Sequence, residues 1–282
     1  MTGAPIAAAF RPNAPGRVAR LTLERTIIEV KQFFRSTELM FFTFLLPVLF
    51  VVIFSTIFSG DIEGPEGQTI AFAQYFVPGM IATGIMSATF ANLATTIAVE
   101  QHDGLLRRLS ATPLPRSAYF GGKVGLSLVI AGAEVVLILG IGVLAYGVKL
   151  PTDPQKWLVL AGVFFAGVSA CSLLGIAYTR MIPSSSAAAA IVQPPYLVLQ
   201  FISGVFLQFS VVPGFLQAVA SIFPLKWMVQ GLRYVFLPDW VSVQDYGGSW
   251  NVDRIFLALV LWCAVSFVAA RLWFRWDRSA QA

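Results

Sequence analysis

Charge is scarce in this sequence: Asp, Glu, Lys and Arg make up only 12% of 282 residues, whereas 57% are hydrophobic. Soluble domains carry about a quarter charged residues, so the deviation points to a bilayer as the solvent. Histidine occurs once, as His102, and no set of His, Asp, Glu or Cys falls at one membrane depth, which argues against a membrane-embedded enzyme. The two cysteines, Cys171 and Cys263, lie in apolar stretches and read as buried inert thiols rather than metal or redox groups. A phosphate loop is missing too: Gly122-Lys123 is followed by Val124 and lacks the earlier glycine of Gly-x-x-x-x-Gly-Lys-Ser/Thr. Residues 1–15, rich in Ala and Pro, show no apolar core with a small-residue cleavage site; they read as a disordered cytoplasmic tail, not a signal peptide.

Apolar runs are abundant by contrast. Six of them, at about 39–58, 76–99, 124–146, 157–178, 187–209 and 255–274, approach the length of roughly 20 residues that crosses a bilayer, and they leave no sizeable soluble domain. The expected fold is an all-α polytopic membrane protein with a transmembrane domain over 38–276 and a cytoplasmic tail over 277–282. In 16–37, Leu23, Ile27, Val30 and Phe34 recur at helical spacing while Arg17, Arg20, Arg25, Lys31 and Arg35 take other positions, which predicts an amphipathic interfacial helix. Segment 212–237 is apolar but interrupted by Pro213, Gly214, Pro224, Lys226 and Arg233, which fits a re-entrant or extracellular helical pair before the last span.

Orientation follows from the basic residues. The tail, the first helix, the 100–123 connection, the 180 turn and the C-terminus hold 14; the opposite connections hold five, Lys149, Lys156, Lys226, Arg233 and Arg254. The positive-inside rule then puts both termini in the cytoplasm of a multi-pass protein of the plasma or inner membrane. Because these charges are spread between apolar runs and not gathered with aromatics, the net charge of +5 speaks of topology and not of nucleic acid.

The connection between the second and third runs reads Glu100-Gln-His-Asp-Gly104-Leu-Leu-Arg-Arg-Leu109-Ser-Ala-Thr112-Pro113-Leu-Pro-Arg116. Leu105, Leu106 and Leu109 can form an apolar ridge flanked by Arg107 and Arg108, and Thr112-Pro113 would stop the helix, giving a knob able to dock in a groove. Composition alone serves a plain surface helix equally well.

This register resembles the loop of the ABC-2 permease family through Glu100, Gly104, Leu106, Arg108, Leu109, Thr112, Pro113, Leu114 and Arg116, while His102 and Arg107 stand where many relatives are acidic. A second likeness lies in Phe223-Pro-Leu-Lys-Trp-Met-Val-Gln-Gly-Leu-Arg233. The resemblance covers about 20–276 and implies a dimeric membrane unit, made with a second copy or a paralogous permease. In it the loop is a coupling helix seated on a separate ABC ATPase dimer. Glu100, Gly104, Leu105, Leu106, Arg107, Arg108, Leu109, Thr112 and Pro113 would make that contact. ATP and Mg would then reside on the partner and no cofactor on this chain. The daunorubicin and multidrug-resistance exporter branch is the most similar, which implies drug efflux and antibiotic resistance.

Within the membrane, Gln193, Tyr196, Gln200 and Ser203 share one helical face, as do Thr89, Asn92 and Thr96. The two stripes line a translocation path or join helices by hydrogen bonds. Glu134, near the middle of the third run, faces a desolvation cost of several kcal/mol unless paired, protonated or wet, and Lys123 sits too near the interface to serve it. It is a functional group or a packing lock. The leading expectation is an ATP-driven exporter of an amphipathic or lipophilic drug or lipid, in contact with membrane lipids. The alternatives are a proton-coupled carrier using Glu134 and a polysaccharide or glycolipid exporter. No internal repeat supports a repeat-built carrier.

Overall fold

The structure is a computed structural model that describes residues 15–245, 248–274 and 276. The expected tails at 1–15 and 277–282 lie outside the described residues, except Pro15. In chain order the helices are α1 (Pro15–Arg35), α2 (Thr37–Ile57), α3 (Phe72–Met86), α4 (Asn92–His102), α5 (Leu105–Ser110), α6 (Arg116–Tyr146), α7 (Pro154–Tyr178), α8 (Ala188–Ile202), α9 (Gly214–Ile222), α10 (Pro224–Phe236) and α11 (Val252–Trp273). A small antiparallel hairpin, β1 (Asp61–Glu63) with β2 (Thr69–Ala71), forms in the acidic loop after α2, Ile62 facing Ile70.

Among the described residues five rods are long and apolar enough to cross a membrane: α2, the continuous run from α3 to α4, α6, α7 and α11. At 1.5 Å per residue the 21 residues of α2 extend about 31 Å, close to the hydrocarbon thickness. The expected fifth run, 187–209, is helical only over the 15 residues of α8, about 22 Å. Gly204, at φ +79°, turns the chain out of the helix there.

The run from α3 to α4 is the centre of the bundle. Every residue of α3 from Ala73 to Met86 is buried, enclosed by α2, α6, α7 and α10. A π-helical turn, Ser87–Ala91, joins α3 to α4. The outward faces are the reverse of a soluble protein: Phe42, Val136, Leu144, Leu158, Leu257 and Leu272 are all exposed, a surface suited to acyl chains.

The amphipathic helix α1 does not stand apart from the bundle. It docks along α6, where Gly121, Gly122 and Gly125 leave a groove so shallow that a Cβ on Gly122 would lie 2.4 Å from Cγ of Arg25. Its mixed polar face, with Glu29 and Phe33 buried, meets α6, and Leu23, Ile27 and Phe34 point outward. At the other end, α9 and α10 break at Phe223-Pro224, and α10 is almost entirely buried among protein elements. That enclosure is what lets a non-spanning helix with Lys226 and Arg233 sit in an apolar bundle.

Candidate functional site

Two features stand out along the central rod, a knob at one end and a cavity further along. Asp103 ends α4 and Gly104, at φ +74°, reverses the chain into the six-residue helix α5, a conformation that favours glycine. Leu106 is 1% exposed and anchors the knob; Leu105 and Leu109, four residues apart, share a half-buried face, and Arg107, Arg108, Thr112 and Pro113 are exposed. Hydroxyls close the far end, Ser110 Oγ donating to the Arg107 carbonyl at 2.6 Å and Thr112 Oγ1 to the Leu109 carbonyl at 2.7 Å.

A buried ionic network roots the knob. Lys123 Nζ, on a side chain 1% exposed, lies 2.5 Å from Glu100 Oε1 and 3.0 Å from Glu29 Oε2. Arg25 Nη2 contacts Glu29 Oε1 at 2.6 Å, and the Tyr119 hydroxyl donates to Glu100 Oε2 at 2.5 Å. Two carboxylates thus face two cations, with α1, α4 and α6 each contributing. Glu100 is engaged inside the chain, at the base of the knob and not on its exposed tip.

Further along the rod, a cavity of about 470 Å³ opens between α2, α3 and α8. Its polar wall is Thr43, Thr83, Ser87, Gln193, Tyr196 and Gln200, and among the described residues no Lys, Arg, Asp, Glu or His lines it. Pro47 on α2 is part of the lining and Pro194 and Pro195 lie within α8, so both flanking helices lack backbone hydrogen bonds beside the space. An adjoining chamber of about 350 Å³ shares Phe50, Leu197 and Gln200 with it and is otherwise lined by Phe54, Phe58, Phe72, Phe201, Phe206 and Leu207. Its rings pack on one another: Phe54 stacks on Phe76 at 5.1 Å and reaches Phe206 at 5.6 Å.

The family model described as ABC-2 type transporter matches residues 23–237, three quarters of the sequence and all of the elements just described from Leu23 onward. This chain belongs to the ABC-2 type transporter family. Inner membrane transport permease YadH of Escherichia coli (strain K12) is 26% identical over 219 residues, covering 74% of this chain and 81% of YadH. A Bacillus subtilis (strain 168) chain provisionally named transport permease YvfS is 20% identical over 240 residues, covering 84% and 91%. With its exposed apolar rods, this ABC-2 protein is a multi-pass membrane protein.

Within this ABC-2 fold the residues expected to line a path separate into two groups. Gln193, Tyr196 and Gln200 face the cavity together; Ser203 is buried just past the end of α8. Thr89 is buried with its hydroxyl donating to the Ile85 carbonyl at 2.6 Å and beside the Cys171 thiol of α7, and Thr96 donates to Asn92 at 3.0 Å; none of the three lines the cavity. Glu134 stands behind the wall, 1% exposed, against Gly84. Thr83 and Ser87 were not foreseen, although their spacing of four residues was visible; Phe50 and Phe54 carry the same signal on α2, as does Phe58 just past its end.

Proposed function

We propose that this chain is the membrane permease subunit of an ATP-driven exporter whose energy comes from a separate ATPase. The observation that carries the reading is continuity: one rod bears the knob's root, Glu100, and four turns away the cavity wall, Thr83 and Ser87. A displacement of the knob would travel along roughly 20 Å of helix to the cavity, with the π-helical turn as the place where the rod yields. Arg107, Arg108, Leu105 and Leu109 are the side chains available to an ATPase groove, and we place this end of the bundle in the cytoplasm, where the basic residues gather.

The passenger is amphipathic. A neutral polar wall continuing into a phenylalanine chamber suits a molecule with one polar and one apolar end, such as a drug or lipid, better than a hydrated polysaccharide. Multidrug efflux is the reading within that class. Phe42, Leu46 and Leu197 flank the cavity and are exposed, so a second permease subunit is proposed to cover that side.

The test is vanadate-sensitive ATPase activity and outward transport in liposomes holding this chain with its candidate ATPase, comparing wild type with the double variant Arg108→Glu/Leu109→Asp. Loss of stimulated activity in the variant is expected, with the isolated chain inert. Full transport by the isolated chain under a proton gradient would overturn the proposal in favour of a proton-driven carrier.

A further inference from the structure

We propose that Glu134 makes the cavity selective for amphiphiles that carry a positive charge. The inference rests on the cavity being the passenger site and adds to it the charge of the passenger.

Three observations converge on this. Both Glu134 carboxylate oxygens are buried and neither has a hydrogen-bond partner among the described residues. A buried carboxyl left in this way is costly unless something supplies the missing contact at some point in the protein's cycle. Its position is also specific. A Cβ on Gly84 would lie 2.9 Å from Glu134 Oε2, so the carboxyl lies directly against α3 at the turn whose neighbours, Thr83 and Ser87, line the cavity. Tyr196, which also lines the cavity, donates its hydroxyl to the Thr83 carbonyl at 3.3 Å and is within electrostatic reach of Glu134. The carboxyl and the cavity thus both meet the same turn of α3.

The third observation is the company around it. Among the described residues no cationic side chain lines either chamber, so an anionic passenger meets nothing complementary there. The faces of Phe50, Phe54, Phe58, Phe72, Phe201 and Phe206 carry negative quadrupole charge, and rings of this kind attract organic cations in a desolvated space. An aromatic chamber with one unpaired carboxyl behind its polar end is the chemistry that recognises a lipophilic cation. Rotation of Tyr196 away from Thr83 would bring the carboxyl and the cationic end together, at a depth where water screens the pair little.

The experiment uses the full chain in lipid nanodiscs, with binding to empty discs subtracted. The probes are tetraphenylphosphonium and tetraphenylborate, which share shape and differ in sign. Wild type should bind the cation about tenfold or more tightly than Glu134→Gln does, whereas the anion should bind both alike. Gln200→Trp, which fills the cavity, should remove cation binding. Should Glu134→Gln bind the cation as well as wild type while Gln200→Trp abolishes binding, the cavity stands and the role of Glu134 is overturned. Cation binding untouched by Gln200→Trp overturns the cavity reading and this proposal with it. If Glu134→Gln does not elute as a monodisperse species, Gly84→Ala decides instead: its methyl displaces the carboxyl without removing it, and undiminished cation binding there overturns the proposal.

Discussion

Lys123 on α6 holds Glu100 at the end of α4 and Glu29 on α1 at 2.5 and 3.0 Å, and so ties three elements at one buried point. Removing the ammonium leaves two carboxylates without their shared counter-charge in a site closed to water, a situation that costs about 3–5 kcal/mol in buried pairs. Lys123→Met is therefore expected to lower unfolding stability in detergent by about that amount. Combining it with Glu100→Gln should recover part of the loss, because Glu29 keeps Arg25 as its partner, whereas adding Glu29→Gln strands Arg25 and should give that gain back. Strict additivity of the three changes would show that the residues do not act as one network.

Docking of α1 depends on the absence of side chains on α6. Gly122→Leu would drive a branched side chain into the space held by Arg25, at a point where even a Cβ comes within 2.4 Å. Overpacking of this kind costs about 1–3 kcal/mol, and here the cheapest relief is for α1 to lift away. A cysteine introduced at Thr22, which abuts Gly121, should then react with a water-soluble maleimide several times faster than in the parent. Equal rates would mean that α1 keeps its seat.

Phe54 packs against four rings in and around the aromatic chamber, Phe50, Phe58, Phe76 and Phe206, at 5.1 to 6.2 Å. Phe54→Ala should cost about 2 kcal/mol or more through lost packing, read as a lower unfolding midpoint. Phe54→Leu restores most of the volume and should recover most of the stability. Because it does not restore the ring face, binding of tetraphenylphosphonium should remain weakened in Phe54→Leu, by a fewfold, while tetraphenylborate binding returns.

The rods were legible in the sequence because a run of about 20 apolar residues has few other uses, and Gln193, Tyr196 and Gln200 because their spacing puts them on one face. Thr89, Asn92 and Thr96 have the same spacing yet are not part of the wall of this cavity. The π-helical turn at Ser87–Ala91 shifts the phase of the rod, and a threonine hydroxyl can satisfy itself on its own helix, as Thr89 does on Ile85. Nor does spacing reveal that Lys123 partners Glu29, 94 residues away, because nothing local encodes that meeting. The expectation of a surface-lying α1 rested on its apolar stripe, of which Leu23, Ile27 and Phe34 are exposed and Val30 packs on the core; what spacing did not reveal is the glycine groove on α6 that receives the opposite face.

Lys226 supplies a dependence on pH. On α10 it is buried beside Phe209, Trp227 and Gln230, with Asp245 at 3.9 Å and Arg233 on the same helix. Burial pushes its ammonium down from an ordinary value of 10.5 to about 8, Asp245 opposing the shift and Arg233 adding to it. Between those values the unfolded chain keeps a proton that the folded protein has released, so stability rises with pH across the window from about 8 to 10.5. Below about pH 8 both states hold the proton and the folded state bears the full cost of an enclosed charge, about 3 kcal/mol at most. Lys226→Met removes that cost, so the variant should be the more stable at pH 7 and its advantage should shrink steadily towards pH 10. Comparing unfolding of the two proteins at pH 7, 8, 9 and 10 isolates the lysine from other groups that titrate in the same range. A difference that stays constant over the series would mean that Lys226 holds its proton as an exposed lysine does, with Asp245 fully offsetting its burial.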